Sequence, residues 1–188
     1  MKNKYLFISL FLFSNCMYYS FRGSMPSHIR TIYIAPIINE STDYLVSEII
    51  NDELNILFLN ENILDLVSAQ EADSRLEIKI KNVLDQPKIV SRSSALGIEE
   101  VNRWELTIKS SVTWYDLKKD KSLLEKQFTN SGLYAPGVDI STDNLDNDGD
   151  SLVDEEDSDE QGSPRESAMK ISIRLLTQDI ISSIVNTW

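Results

Sequence analysis

From Arg103 to Tyr115 the chain reads RWELTIKSSVTWY, and its apolar side chains fall on alternate residues: Trp104, Leu106, Ile108, Val112 and Trp114, with Ser110 in the same row. Arg103, Glu105, Thr107, Lys109, Thr113 and Tyr115 make the other row. A period of two sends successive side chains to opposite faces, so this is a strand with one face buried and the other open to water or a partner. One-sided alternation belongs to antiparallel sheets. The polar turn Lys118, Lys119, Asp120, Lys121 then returns the chain into a strand from Ser122 to Asn130, closing a hairpin.

The other elements must cover the apolar row. Leu76 to Lys81 reads LEIKIK, a second half-buried strand with Leu76, Ile78 and Ile80 on its inner face. The stretch from Pro87 to Gly97, rich in serine, reads as the connection between these two strands; Lys88 and Arg92 are the cations it carries. Earlier, Thr31 to Ala35 alternates briefly and Pro36 limits that strand, since proline cannot donate to a ladder. Asn39 to Asp43 supplies N-cap candidates for a helix whose Val46, Ile49, Ile50, Leu54, Leu57 and Phe58 recur at steps of three and four. The last element opens with Ser163, Pro164 and Glu166: a capping serine, proline in the first turn and glutamate three residues after the cap. Met169, Ile173, Leu176, Ile180 and Ile184 follow, flanked by Ile171, Leu175 and Ile181. The order is strand, helix, two or three strands, helix. It predicts an α+β two-layer sandwich, with two helices on one face of a mostly antiparallel sheet of about four strands.

At 188 residues and 41% hydrophobic content there is enough chain for one core. Lys2 and Lys4 precede an apolar run from Tyr5 to Phe13, the order of an export signal and too short to span a bilayer. Cys16, the only cysteine, follows that run directly, where a lipoprotein signal is cut and its cysteine acylated. This divides the chain into a lipoprotein signal over 1–15, a lipid anchor and extended lead-in over 16–30, and a single domain over 31–188 with an acidic insertion at 139–162. Met17 after the anchor, where aspartate would retain the protein, points to the outer membrane of a Gram-negative cell, on its periplasmic side. The formal charge is −12 at pH 7, yet eleven acids lie between Asp139 and Glu160, where there is no Lys or Arg. Acidity is therefore local, and a nucleic-acid partner is excluded for want of a basic face.

Catalytic chemistry has few residues to use. His28 is the sole histidine and reads as a surface residue; an acylated Cys16 is no nucleophile, and no glycine-rich phosphate loop or cysteine-based zinc spacing occurs. A non-enzymatic protein is expected. The acidic insertion offers the one metal-like pattern. Calcium takes about six to eight oxygen ligands, and a loop can present them at positions 1, 3, 5, 7 through its carbonyl, 9 and 12. Starting at Asp146 these are Asp146, Asp148, Asp150, the carbonyl of Leu152, Asp154 and Asp157. Ser151 stands where glycine is preferred and Asp157 where glutamate reaches further. A register from Asn144 places Gly149 and Glu155 at those points but puts Leu152 at position 9. The first register is preferred, and Ca2+ is the expected ion.

CMYYSFRG after the signal, IRTIYIAPIINES leading into a helix, WELTIKSSVTWYD turning into LLEKQF, and a final helix ending IISSIVNTW together resemble the lipopolysaccharide-assembly lipoproteins (LptE-like) in order and spacing. The resemblance covers nearly all of the mature chain; the acidic insertion departs from it. It implies a non-enzymatic outer-membrane lipoprotein, held in the lipid through Cys16, that plugs the LptD β-barrel translocon, helps it assemble and delivers lipopolysaccharide to the surface. Its implied partners are the LptD-type barrel and lipopolysaccharide. None of that family's lipid-contacting residues can be matched here; Lys88 and Arg92 are candidates from their position alone. The alternative is a calcium-dependent periplasmic lipoprotein acting as a binding or secretion-accessory module.

Overall fold

The computed structural model describes residues 26–92, 99–135, 151–153 and 162–187. Their elements are β1 (Thr31–Ile34), β2 (Ile38–Asn39), α1 (Leu45–Glu61), β3 (Asp65–Leu66), β4 (Ser74–Arg92), β5 (Glu99–Asp116), β6 (Lys121–Tyr134) and α2 (Pro164–Val185). The sheet has six strands in the order β3-β1-β4-β5-β6, with β2 also on β4. β4, β5 and β6 form an antiparallel meander; β1, β2 and β3 join by parallel pairing. Both helices lie on one face, so the fold is the expected α+β two-layer sandwich, with a mixed sheet larger than four strands.

The Trp104 row faces the helices as its period requires. Leu106, Ile108, Val112 and Trp114 are fully buried, against Leu76, Ile78 and Ile80 of β4. α1 adds Val46, Ile50, Leu54 and Phe58, and α2 adds Met169, Ile173, Leu176, Ile180 and Ile184. Leu175, counted from sequence with the apolar stripe of α2, is instead part-exposed at 39%. The capping box forms as read: Ser163 Oγ accepts from Glu166 N, and the Glu166 carboxylate accepts from Ser163 N at 2.8 Å. At α1 the expected cap does not form. Asn39, Ser41 and Asp43 bond among themselves, and the helix starts after Tyr44 with no side-chain cap.

Two departures come from β4. Its pairing with β5 slips between Ile80 and Asn82, leaving Lys81 as an extra residue. A bulge of one residue reverses the parity of everything after it. Val83 and Asp85, opposite Ile108 and Leu106, therefore take the inner face. The second departure corrects the reading of the Pro87 to Gly97 stretch as a connection. β4 continues to Arg92, paired with Glu99 of β5, and Lys88 and Arg92 stand in a strand. Proline is tolerated there because β2 pairs β4 no further than Ile80, and the register shifts directly after Pro87.

Both helices run antiparallel to β4 and hence parallel to each other. Close packing of α2 on the sheet depends on Gly132. A Cβ built there would overlap the Ala168 carbonyl oxygen and lie 2.9 Å from Ala168 Cα.

Candidate functional site

Among the described residues, no element covers the sheet face away from the helices, and that face is polar. Arg75, Glu77 and Lys79 of β4, Lys109, Ser111 and Thr113 of β5, and Glu125, Gln127 and Thr129 of β6 follow from the register as one surface. Arg75 stacks over the Tyr115 ring at 5.4 Å, and Lys79 pairs with Glu40 at 2.7 Å. β6 ends at Tyr134, opposite Trp104, whereas β4 and β5 pair on to Arg92 and Glu99. The sheet thus narrows to a two-stranded ribbon at one pole. At its root Lys88 Nζ donates to both oxygens of Glu105 at 2.9 Å, and Ser131 Oγ donates to the same carboxylate at 3.2 Å. The ammonium beside it holds the Glu105 carboxyl below its ordinary range, against a smaller opposing effect of burial. Leu84 and Leu133 stand part-exposed on this end of the open face.

Beneath the ribbon, on the helix side, lies a polar knot that only the bulge could produce. Arg165, in the first turn of α2, donates to Asp85 from Nε at 3.1 Å and from Nη2 at 2.9 Å, and to Asp43 from Nη1 at 2.9 Å. Tyr134 Oη donates to the other Asp85 oxygen at 2.9 Å. Burial and the neighbouring carboxylate push the Tyr134 phenol up to about 12. For Arg165, burial works against the charge, but the bonds to Asp85 and Asp43 outweigh it and raise its pKa. Periodicity alone puts Asp85 on the solvent face, so the sequence carries no direct signal of this knot.

The opposite pole is where the chain enters the domain. His28, expected at the surface, is partly buried: its Nε2 lies 2.6 Å from Asp116 Oδ2. Burial raises the Asp116 pKa, but the His28 bond and the Lys118 and Lys119 backbone N–H groups lower it further, for a net fall. Asp73 accepts from Arg30 N, Thr31 N and Lys118 Nζ, and its carboxyl is held down to about 2, mostly by the Lys118 bond. These carboxylates clamp the lead-in to the β5–β6 turn.

Of the residues assigned from sequence, Cys16 and the calcium positions Asp146, Asp148, Asp150, Asp154 and Asp157 lie outside the described residues. Leu152 is described and part-exposed, next to Ser151 with φ of 76°. Among the described residues, no three His, Cys, Asp or Glu side chains could together hold a metal ion. No described helix is long and apolar enough to cross a membrane.

Two helices on one face of a mixed, mostly antiparallel sheet define a small α+β sandwich that also occurs in solved bacterial structures. The hypothetical protein CT253 from Chlamydia trachomatis matches with a TM-score of 0.56 and 11% identity, over 85% of this chain and 97% of that one. Protein XCC0632 from Xanthomonas campestris matches with a TM-score of 0.50 and 8% identity, over 86% of this chain and 89% of that one. At such identities the likeness is one of fold. No protein-family model matches the sequence. No curated protein matches it either.

Proposed function

We propose that the protein is an outer-membrane lipoprotein, anchored through Cys16 on the periplasmic side, which acts without catalysis as a plug and assembly factor of a large β-barrel that exports lipopolysaccharide. The observation that supports this reading is the polar sheet face, which no described element covers, running on into the β4–β5 ribbon. The lumen of a large outer-membrane barrel is polar, so a surface of Lys, Glu, Ser, Thr and Gln suits it where an apolar one would not. The lead-in from the anchor enters at one pole and the ribbon projects from the other. The domain can therefore reach away from the lipid while its tether stays in it. Leu84 and Leu133 near Lys88 give the ribbon end both apolar and cationic contacts, the pair of chemistries that a phosphorylated, acylated sugar needs.

Depletion of the protein, followed by measurement of surface lipopolysaccharide, tests the proposal. Loss of surface lipopolysaccharide and co-purification of the tagged protein with a large barrel are expected. Normal surface levels would overturn the export role. A complex with a different partner that chelators dissolve would favour the calcium-dependent module instead.

A further inference from the structure

α1 has two apolar faces, and the core uses only one. Val46, Ile50, Leu54 and Phe58 are buried, whereas Leu45, Ile56 and Leu59 are exposed at 54%, 52% and 71%. With Asp52, and with Ile49, which is partly buried and packs against the edge of the core, these follow the spacing Leu45, Ile49, Asp52, Ile56, Leu59: steps of four, three, four and three. That is the a/d spacing by which one helix receives another. Exposed leucine and isoleucine in such a line mark a docking surface more than scattered apolar residues do.

Charge identifies the occupant. α1 carries Glu48, Asp52, Glu53 and Glu61 and no Lys or Arg. A second copy packed antiparallel along the seam would set Asp52 against Asp52, and a copy in either direction would bring Glu48 and Asp52 of one helix against the same carboxylates of the other. An anionic bilayer would be repelled likewise. A helix with leucine-like residues at the matching positions and Lys or Arg opposite Asp52 meets both requirements. No described basic side chain pairs with Asp52 in the chain itself. We propose that the outward face of α1 is a docking seam for a basic amphipathic helix of another protein. A polar residue within an a/d line fixes register and choice of partner, and Asp52 is placed to do this. The seam lies on the helix layer, away from the sheet face assigned to the barrel, so the two surfaces can fail independently.

The test uses the purified full-length chain and a labelled designed helical peptide, with Leu at the seam positions and Lys facing Asp52. Fluorescence anisotropy gives the affinity; a peptide of the same composition in scrambled order controls for bulk charge. Specific binding of the ordered peptide is expected, weakened at least tenfold by Asp52→Lys and by Leu59→Asp. Against the Asp52→Lys chain, a peptide with Glu at the facing position should recover most of the loss. Both substitutions are at exposed sites, and unchanged circular dichroism checks the fold; Ile56→Gln is the milder second variant. Binding that ignores these variants, equal binding of the scrambled peptide, or no binding would overturn the proposal. So would a dimer in sedimentation equilibrium that Leu59→Asp dissociates, or adsorption to phosphatidylglycerol vesicles lost in the same variant, because each names another occupant.

Discussion

Replacing Gly132 with alanine adds one methyl group at the tightest contact between α2 and the sheet. The backbone there is not left-handed, so alanine can adopt it without strain. Stiffening the unfolded chain would by itself favour alanine by about 0.4–1 kcal/mol. Opposing this, the new Cβ would collide with the carbonyl oxygen of Ala168 and lie 2.9 Å from its Cα. These are backbone atoms in a regular helical turn, so no rotamer change relieves the overlap. The helix must lift, opening the packing of Met169 and Ser172 and stretching the bond from Ser172 Oγ to the Leu106 carbonyl oxygen, now 3.3 Å. Overpacking in a close-packed interior costs roughly 1–3 kcal/mol, and the loosened contacts add to it. The expected net loss is about 2 kcal/mol, or about 4–8 °C in Tm for a domain of this size. Urea unfolding followed by tryptophan fluorescence reports it, with buried Trp114 as the probe and an unchanged m-value as the check on two-state behaviour. Ala168→Gly should not rescue the variant, because the obstructing atoms are main chain. A neutral or stabilising Gly132→Ala, or rescue by Ala168→Gly, would refute the close-approach argument.

Three further outcomes are expected. Arg165→Met removes the link between α2, β4 and the turn before α1, leaving Asp85 and Asp43 unpaired; about 1–2 kcal/mol of stability should be lost in urea unfolding, the moderate value reflecting the part-exposed guanidinium. Asp73 titrates at about 2 in the fold against an ordinary 3.8, so its stabilisation is complete above about pH 4 and is lost as the pH falls toward 2. Asp73→Asn should therefore flatten the acid limb of the stability curve by about 1 kcal/mol, discounted because Lys118 is largely exposed, and parallel acid limbs for variant and parent would contradict that pKa. Calcium at millimolar concentration should give a calorimetric signal and protect the 139–162 segment from proteolysis, both removed by Asp148→Asn with Asp150→Asn; no heat and no protection would dismiss the calcium site.

The sandwich was legible because its signals are local. The Trp104 row needs only a period of two, and the capping box of Ser163 and Glu166 lies within four residues. The misread parts depend on partners distant in sequence. β3 is two residues long and exists because Asp65 and Leu66 pair with Thr31 and Ile32; nothing in its own composition marks it. β4 past Ile80 was obscured twice. Lys81 breaks the alternation as a bulge, and Pro87 resembles a strand end when it sits in a segment whose second edge is bare. Asp85 consequently reads as solvent-facing, and its bonds to Arg165 and Tyr134 join residues 80 and 49 positions apart. His28 shows the same limit, since its partner Asp116 is 88 residues away. On α1 the stripe of Val46, Ile50, Leu54 and Phe58 that the core takes was legible from its period, whereas the exposure of Leu45, Ile56 and Leu59 was not, because it depends on what the rest of the chain covers.

The parallel course of α1 and α2 has an electrical consequence. Each helix carries about half a positive charge at its start and half a negative one at its end, and with both pointing the same way the two add. Glu48 and Glu166 in the first turns answer the positive ends, and Asp43 and Asp85 lie close by. Neither last turn has a basic residue of its own, and at the end of α2 the cation comes from β6, where Lys126 Nζ donates to Ser183 Oγ at 3.1 Å. The helix layer thus carries two aligned backbone dipoles, positive toward the ribbon pole and negative toward the pole of the lead-in, each end partly offset by the side chains around it. The backbone of this layer therefore favours a negative group near its ribbon end and a positive group near its other end, and that preference does not depend on any one side chain.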